Sequence, residues 1–391
     1  MRETRLYLDH NASAPLLSEA RDAIVAALAT VGNPSSVHAE GRAARSLLAT
    51  ARADVARLAG AEAEAVVFTS GATEAASTCL TPHWARDGRD VTAARLAVID
   101  TDHPCIREGG RFASADATRL PVDPNGVVRL DALDRWLAAG PPGLVAFCAA
   151  NSETGLLQPA GEIVSRARAA GAIVVCDGVQ AAGRIPLDAL ALGADALILS
   201  AHKIGGPKGV GAFVLGSTGL RPRPLLTGGA QETRQRAGTE AAALIAGFGA
   251  AACLARRTPE ERARMLDLRE RLERGILTLS PGFSIVGGTA ERLPQTVMLH
   301  HPGRRAETAQ IAMDLAGIAV SAGSACASGK VGGSSVLEAM ARGGAAVEPD
   351  MGGLRISFGP ETEAAAIDRF LSAFGAHCAR SAERAGTRQV A

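Results

Sequence analysis

The sequence lacks an excess of charge of either sign, because its 391 residues hold 41 lysines and arginines against 40 aspartates and glutamates. The resulting net charge of +1 gives no support to binding of nucleic acid or of a membrane surface. No apolar run reaches the length of a membrane span. The first residues also lack the apolar core of a signal peptide. We therefore expect a cytoplasmic protein that binds neither nucleic acid nor a membrane.

Paired cysteines are missing as well, since none of the seven cysteines forms a Cys-x-x-Cys motif. The sequence therefore lacks the usual signature of a zinc site and that of a disulfide framework, and we predict no metal site. Most of the cysteines are expected to act as small buried hydrophobes. Cys326 differs because it lies among glycine, serine and alanine, in 321–329. An exposed thiol there can act as a nucleophile, although a free cysteine in a linker fits the composition equally well.

Short apolar runs alternate with amphipathic stretches through the first two-thirds of the chain, as in a parallel sheet whose strands are buried on both faces. The clearest of these runs are 65–69, 96–100, 144–147, 173–176, 196–199 and 211–215. We predict an α/β fold with a mainly parallel sheet. This sheet would form a large domain over residues 15–257.

The remaining third of the chain predicts a smaller α+β domain, to which residues 1–14 and 258–391 would both belong. A charge-rich helix is expected from 259 to 279, where the chain leaves the sheet. Shorter strands and helices follow, at 295–299, 307–315, 354–358 and 363–374. Residues 321–333 show neither helical nor strand periodicity, and we expect a mobile loop there.

Lys203 ends an apolar run and enters the glycine-rich turn 204–209, a position that suits an amine forming a Schiff base. Asp177 ends another apolar strand, where a carboxylate is costly unless it is paired. Pyridoxal phosphate enzymes need a lysine for the imine and an acid for the pyridinium nitrogen. The two residues together indicate that cofactor. A surface lysine and a helix-capping aspartate are the alternatives.

The turn at 69–75 follows a strand and opens a helix, so its free N–H groups can hold a phosphate dianion. Gly71, Ala72 and Thr73 would form this cradle, with Ser200 and His202 as added donors. An ordinary capped helix start is the alternative.

Three further polar residues follow or interrupt apolar strands. His103 can stack on a pyridine ring and act as an acid or base near neutral pH, although a structural histidine is as common. Asn151 can bind the ring hydroxyl or the substrate, or form an Asx turn. Arg355 lies inside an apolar strand, so its guanidinium needs an anion. That anion is either an internal carboxylate or, as we favour, the carboxylate of an amino-acid substrate.

The chain resembles the cysteine desulfurases of the class V aminotransferase family, in the housekeeping and nitrogenase-associated group. The matching segments run through nearly the whole chain in the order typical of that family. They are 7–12, 32–38, 70–74, 151–155, 158–159, 177–180, 200–209, 228–232, 236–239 and 321–329. The resemblance implies a pyridoxal-phosphate-dependent homodimer of fold type I, with a seven-stranded sheet, that converts L-cysteine to L-alanine.

The resemblance also implies a role for each residue around the cofactor. Lys203 would form the Schiff base and move the substrate's Cα proton. His103 would stack on the ring and assist proton transfers. Asp177 would pair with the pyridinium nitrogen, and Gln180 would bind the ring hydroxyl.

The phosphate, the substrate and the sulfur are assigned in the same way. Thr239 of the partner subunit is expected to reach the phosphate beside Thr73, Ser200 and His202. The substrate carboxylate would be held by Asn11, Asn151 and Arg355. Cys326 would attack the substrate sulfur and carry it as a persulfide to an acceptor protein. Iron–sulfur cluster assembly, nitrogenase maturation and tRNA thiolation all remain open as its destination.

Three segments depart from the family's pattern: the usual Ser-His-Val-Leu reads Ser-Ser-Val-Leu at 334–337, 341–353 is unusual, and Asp102 replaces a glutamate. A selenocysteine lyase, a sulfinate desulfinase and a transaminase are alternatives within the same cofactor chemistry. A scaffold without cofactor that kept the fold is a further alternative.

Overall fold

The structure of the protein is a computed structural model that describes residues 5–187, 189–280, 282–323 and 333–389. Its α-helices are, in chain order, α1 (Ser18–Leu28), α2 (Ala39–Ala59), α3 (Ala72–Cys79), α4 (Pro104–Arg107), α5 (Leu130–Ala138), α6 (Ala160–Ala169), α7 (Ala189–Leu192), α8 (Ala242–Ala255), α9 (Pro259–Leu279), α10 (Ala306–Leu315), α11 (Ser335–Arg342) and α12 (Ala364–Gln389). Its strands are β1 (Leu6–Tyr7), β2 (Val66–Thr69), β3 (His83–Arg86), β4 (Arg89–Thr92), β5 (Leu96–Ile99), β6 (Ala117–Leu120), β7 (Leu144–Cys148), β8 (Ile173–Asp177), β9 (Ala196–Ser200), β10 (Gly211–Leu215), β11 (Leu220–Pro222), β12 (Ser284–Ile285), β13 (Thr296–His300), β14 (Ile318–Ala319), β15 (Ser321–Ala322) and β16 (Leu354–Ser357).

Seven strands form the main sheet in the spatial order β2-β10-β9-β8-β7-β5-β6. All neighbouring pairs are parallel except the two that β10 makes, so β10 alone runs against the others. Every residue of the five central strands is buried, as expected for a sheet covered on both faces. The predicted α/β fold with a mainly parallel sheet is confirmed.

A four-stranded antiparallel sheet follows the main sheet along the chain, in the order β12-β13-β16-β15. It packs with α9, α10 and α12 around a second hydrophobic core, which also includes Leu8. The side chains of α11 belong instead to the core of the main sheet, through Val336, Leu337 and Met340. No helix in the described part of the chain is long and apolar enough to cross a membrane.

Helix α9 begins at the predicted residue because its first turn carries a complete capping box. The Thr258 side chain accepts a hydrogen bond from Glu261 N at 3.2 Å, and Thr258 N donates to the Glu261 carboxylate at 2.8 Å. Pro259 at the first helical position lacks the N–H that would otherwise need a partner.

Candidate active site

The strands of the main sheet end beside one cavity of about 550 Å³. Because the parallel strands share a direction, their carboxyl ends meet at a single edge of the sheet, where ligands of such folds bind. Eleven residues predicted for the site line this cavity: Asn11, Gly71, Ala72, Thr73, His103, Asp177, Gln180, Ser200, His202, Lys203 and Arg355. The fold therefore brings together residues that are far apart in the sequence, such as Asn11 and Lys203, which are 192 positions apart.

Lys203 lies in a single 3₁₀ turn directly after β9. Its Nζ atom donates hydrogen bonds to the carbonyl oxygens of Asn11 at 2.7 Å and Ala12 at 2.9 Å. The turn that follows requires glycine at residue 205, which has a φ of +87° and no room for a Cβ beside Leu17. The glycine-rich sequence after the lysine is thus explained by backbone geometry.

Asp177 ends β8 and points its buried carboxylate into the cavity. The oxygens accept hydrogen bonds from Val179 N at 2.8 Å and from the Cys148 thiol at 3.5 Å. Burial raises the pKa of Asp177, and the positive charges of His103 and Lys203 oppose that rise. Both hydrogen-bond donors are neutral, so a cationic ligand atom would stabilise the charged carboxylate.

The first turn of α3 faces the same cavity with its backbone N–H groups. Gly71 is the N-cap residue and supplies no side chain to these donors, and a Cβ built on it would meet open space. Lys208 lines the cavity as well. Burial, followed by the charges of Lys203 and Lys208, lowers the pKa of His202 to about 4. A neutral His202 can offer only one ring N–H to an anion here.

Gln180 is positioned by Arg184, a buried residue that the sequence analysis did not predict. The Arg184 guanidinium donates hydrogen bonds to the side-chain oxygen of Gln180 and to the carbonyl oxygen of Lys203. The Gln180 amide nitrogen donates to Asn11 O at 3.1 Å, which leaves its second N–H available to the cavity. Burial lowers the pKa of Arg184 to about 9.

Arg355 on β16 makes an ion pair within the protein. Its guanidinium donates to Asp9 Oδ1 at 2.7 Å and to Ser321 Oγ at 3.1 Å. The second terminal nitrogen donates to Ser152 O at 3.1 Å, and the buried Nε atom has no hydrogen-bond partner. The internal carboxylate considered from the sequence is therefore present, and Arg355 lines the cavity at the same time.

Asn151 does not line the cavity, because its side chain is used by its own turn. Its oxygen accepts hydrogen bonds from Glu153 N and Thr154 N, at 2.9 and 3.0 Å, as in an Asx turn. Its amide nitrogen donates to Thr101 O at 2.8 Å. The geometry thus corresponds to the Asx turn, which the sequence left open as an alternative for Asn151.

Thr239 is exposed and also lies away from the cavity of its own chain. The segment before it is anchored by Glu232, whose buried carboxylate pairs with Arg52 and accepts a hydrogen bond from Phe68 N at 2.8 Å. Glu232, Thr233 and Arg234 have φ angles of 47°, 53° and 66°, in the region that favours glycine. Strain of this kind persists where contacts hold it, and it is common at functional sites.

Cys326 lies outside the described residues, within 324–332. The chain on each side is fixed: β15 pairs with β16 before this segment, and Ser334 follows it. Ser334 Oγ donates a hydrogen bond to the buried Glu153 carboxylate at 2.6 Å and accepts one from Leu337 N at 3.2 Å. The segment that carries Cys326 thus ends at an anchored helix cap.

Replacing Ser334 with alanine should lower the free energy of unfolding by about 1–3 kcal/mol, because the cap is lost and a buried carboxylate loses its donor. Chemical denaturation measures this change. Ser335→Ala, one position further along α11, is the matched control and should have a much smaller effect. Equal losses from the two variants would contradict the assigned contact with Glu153.

Asp102 connects the ends of β5 and β7 through a buried carboxylate. Its oxygens accept hydrogen bonds from Ile99 N at 2.8 Å and from Cys148 N at 2.9 Å. Burial raises its pKa to about 7 from a usual value of 3.8. Between these two values the folded protein binds a proton that the unfolded chain has released.

The stability contributed by this proton is therefore complete below about pH 4 and is lost as the pH rises towards 7. We expect the free energy of unfolding of the wild type to fall over that range relative to Asp102→Asn. Urea titrations at pH 5 and pH 7 measure the difference, with the exposed Asp116→Asn as control. Equal pH dependence in the wild type and Asp102→Asn would contradict the assignment.

No group of three or more histidine, cysteine, aspartate or glutamate side chains within the described ranges is placed to hold a metal ion. The protein has a mixed α/β fold with a cavity at the carboxyl edge of its main sheet. Residues 6–370 match the family described as aminotransferase class-V. The chain belongs to the class-V aminotransferase family.

Two relatives and one solved structure match this chain over most of its length. A cysteine desulfurase of Cereibacter sphaeroides is 40% identical over 377 residues, covering 94% of each chain. A cysteine desulfurase of a Frankia strain is 39% identical over 359 residues, covering 86% of this chain and 83% of that protein. The X-ray structure of a NifS-like protein from Rickettsia africae superimposes with a TM-score of 0.82 at 31% identity, covering 95% of this chain and 98% of that one.

Proposed function

We propose that the chain is a pyridoxal-phosphate-dependent cysteine desulfurase, which removes sulfur from L-cysteine and leaves L-alanine. The observation that carries the proposal is that Lys203, Asp177 and His103 converge on one cavity. The chain also belongs to a family in which the relatives from C. sphaeroides and Frankia are named cysteine desulfurases.

The donor set of the cavity fits pyridoxal phosphate. Lys203 offers an amine for a covalent link with the cofactor's aldehyde, and the buried Asp177 offers an anion for a protonated ring nitrogen. The uncapped N–H groups after Gly71 suit a phosphate, with open space where a side chain would otherwise stand. Lys208 adds positive charge to this part of the cavity.

Bound in this way, the cofactor withdraws electrons from the substrate's Cα, which makes the Cα–H acidic and the Cβ–S bond cleavable. Lys203 takes up the Cα proton. His103, which lines the same cavity, would contact the ring and would exchange protons with the substrate. The free N–H of Gln180 binds the ring oxygen, while Arg184 holds the Gln180 amide in place.

The substrate carboxylate is held by Asn11 and Arg355, which both line the cavity. The Asn11 amide nitrogen donates to Ser152 O at 3.1 Å and to Thr296 Oγ1 at 3.0 Å, so it exchanges one of these partners for the substrate. The unpartnered Nε atom of Arg355 is a donor in need of an acceptor, although the side chain must turn to present it. Asn151 contributes through its turn, since it does not line the cavity and its side-chain oxygen and nitrogen are both hydrogen-bonded to backbone groups.

Cys326 receives the sulfur. Its thiolate attacks the substrate sulfur, an S–S bond forms as the Cβ–S bond breaks, and the electron pair of that bond stays with Cβ. Cβ then takes a proton, and alanine leaves. The sulfur remains on Cys326 as a persulfide, which a thiol of an acceptor protein later attacks. A tethered nucleophile supplies the proximity that this step needs.

A homodimer completes the site in this proposal, with Thr239 of the partner subunit reaching the phosphate. Large apolar side chains are exposed on α1, on the loop between α1 and α2, and at residues 225 and 226. Exposed apolar side chains of this kind favour a surface that binds a partner. They are Val25, Leu28, Val31, Val37, Leu225 and Leu226.

The two hydrophobic cores favour a large domain at 15–257 and a small domain made of 1–14 and 258–391, although α11 packs on the first core.

The cysteines favour a location in the reducing cytoplasm, because all six within the described ranges are free thiols.

The test is a product analysis of the purified protein loaded with pyridoxal phosphate. We expect L-cysteine to give alanine and, with a reducing thiol present, an equal amount of sulfide. Cysteine sulfinate and selenocysteine serve as competing substrates. Alanine formed only from one of those two, or an amino group transferred to a keto acid without sulfide release, would contradict the proposal.

A further inference from the structure

Two hydrogen-bond donors of Cys105 converge on one nitrogen of the His103 ring. The backbone N–H of Cys105 donates to His103 Nδ1 at 3.3 Å, since His103 is the N-cap residue of α4. The Cys105 Sγ atom lies 3.0 Å from the same nitrogen. Both residues line the cavity of Lys203 and Asp177.

The backbone contact decides which atom carries the proton. A nitrogen that accepts a hydrogen bond from a backbone N–H presents a lone pair, so a neutral His103 ring carries its proton on Nε2. A proton on Nδ1 would face the Cys105 N–H directly. The arrangement of a thiolate with a protonated Nδ1, used by cysteine nucleophiles, is therefore excluded here.

The state of the thiol agrees with this geometry. Burial raises the pKa of Cys105, and the negative charges of Asp177 and Asp102 raise it further, while the contact with His103 opposes the rise. The thiol thus keeps its proton at neutral pH. Its S–H group can serve as the second donor to Nδ1.

We propose that Cys105 is a positioning residue, whose thiol holds His103 as the Nε2–H tautomer and sets the angle of the ring in the cavity. The inference depends on the proposed function only for the role that it gives to His103. In that role His103 begins the reaction as a proton donor through Nε2, and its Nδ1 takes no part. A hydrogen bond to one ring nitrogen commonly fixes the tautomer of a histidine that acts through its other nitrogen.

The direct test is infrared spectroscopy of the S–H stretch in the protein without cofactor. We expect a band below the frequency of a free thiol that disappears in Cys105→Ala and moves to the free-thiol frequency in His103→Asn. Cys253→Ala is the matched control, because this exposed thiol should contribute only a free-thiol band. A Cys105 band at the free-thiol frequency in the wild type would overturn the proposal.

Nitrogen-15 spectra of labelled histidine test the tautomer in the same samples. We expect the His103 signals of the wild type to show an unprotonated Nδ1 and a protonated Nε2, and the Nδ1 signal to shift in Cys105→Ala. A protonated Nδ1 in the neutral ring would overturn the proposal.

Kinetics separate positioning from a purely structural role. Cys105→Ala should lower kcat for alanine formation by about 3-fold, the effect of losing one weak hydrogen bond, and Cys105→Ser should restore it because its hydroxyl donates to Nδ1. Equal kcat in Cys105→Ala and Cys105→Ser would contradict positioning by the thiol. A wild type that forms no alanine would instead refute the proposed function, and the spectra would still decide the Cys105 contact.

Discussion

Alanine formation by Lys203→Ala is expected to fall by about 10³-fold, within the range of 10²–10⁴ given by a positioned proton-transfer group. The variant loses both the covalent link to the cofactor and the group that moves the Cα proton. In the wild type the Lys203 amine lies in the same cavity as Asp177 and donates hydrogen bonds to the carbonyl oxygens of Asn11 and Ala12. Product analysis with L-cysteine measures the loss.

Lys208→Ala is the matched control, since Lys208 lines the same cavity and belongs to the same glycine-rich turn. It should weaken phosphate binding while leaving the covalent link in place. Borohydride reduction followed by peptide mass analysis should find the cofactor on Lys203 in the wild type and in Lys208→Ala. A cofactor attached to Lys208, or a Lys203→Ala variant with most of its activity, would contradict the assignment.

The second large effect is expected from Cys326→Ser, which should abolish sulfide release and lower alanine formation by about 10³-fold. A serine hydroxyl is a poor acceptor of sulfur, because it forms no stable link equivalent to a persulfide. Cofactor binding should be unchanged, since Lys203 and Asp177 are intact. The absorbance of the bound cofactor and the product yields together measure both parts of the expectation.

Cys253→Ser is the control for this substitution, because Cys253 is an exposed thiol on α8. It should keep full activity. A fully active Cys326→Ser variant would indicate a transaminase or a selenocysteine lyase, neither of which needs the loop cysteine. The same substitution therefore separates the alternatives that the sequence left open.

The central part of the fold could be predicted because the strands that build it are buried on both faces. Continuous apolar runs mark β2, β5 and β7 through β10 in the sequence. The edge strand β6 was missed because it is polar, with Thr118 and Arg119 exposed. The strands β3 and β4 are mostly solvent-accessible and show no apolar run either.

Most of the candidate site could also be predicted, because its residues follow strands and parallel strands end at one edge. The chain has three lysines, at 203, 208 and 330, and two of them line the cavity. Arg184 and Cys105 were missed since each acts through another side chain, and such contacts depend on three-dimensional distances. The pairing of Arg355 with Asp9, 346 positions apart, is invisible in the sequence for the same reason.

Ser334 shows how the structure explains a departure from the family's pattern. The sequence has serine at both 334 and 335, where the usual motif has serine and histidine. Ser334 is fully buried, caps α11 and binds Glu153, so its role in the fold is defined by contacts. Ser335 begins the helix and is only partly buried, which leaves this position available for a difference in acceptor choice.

The most direct measurement of the central claim is the mass of the Cys326 peptide after one turnover with L-cysteine and without a reducing thiol. The proposed chemistry predicts an addition of one sulfur atom on Cys326, in an amount equal to the alanine formed, and none on Cys253. Alanine without added sulfur on Cys326, or the added sulfur on another cysteine, would contradict it.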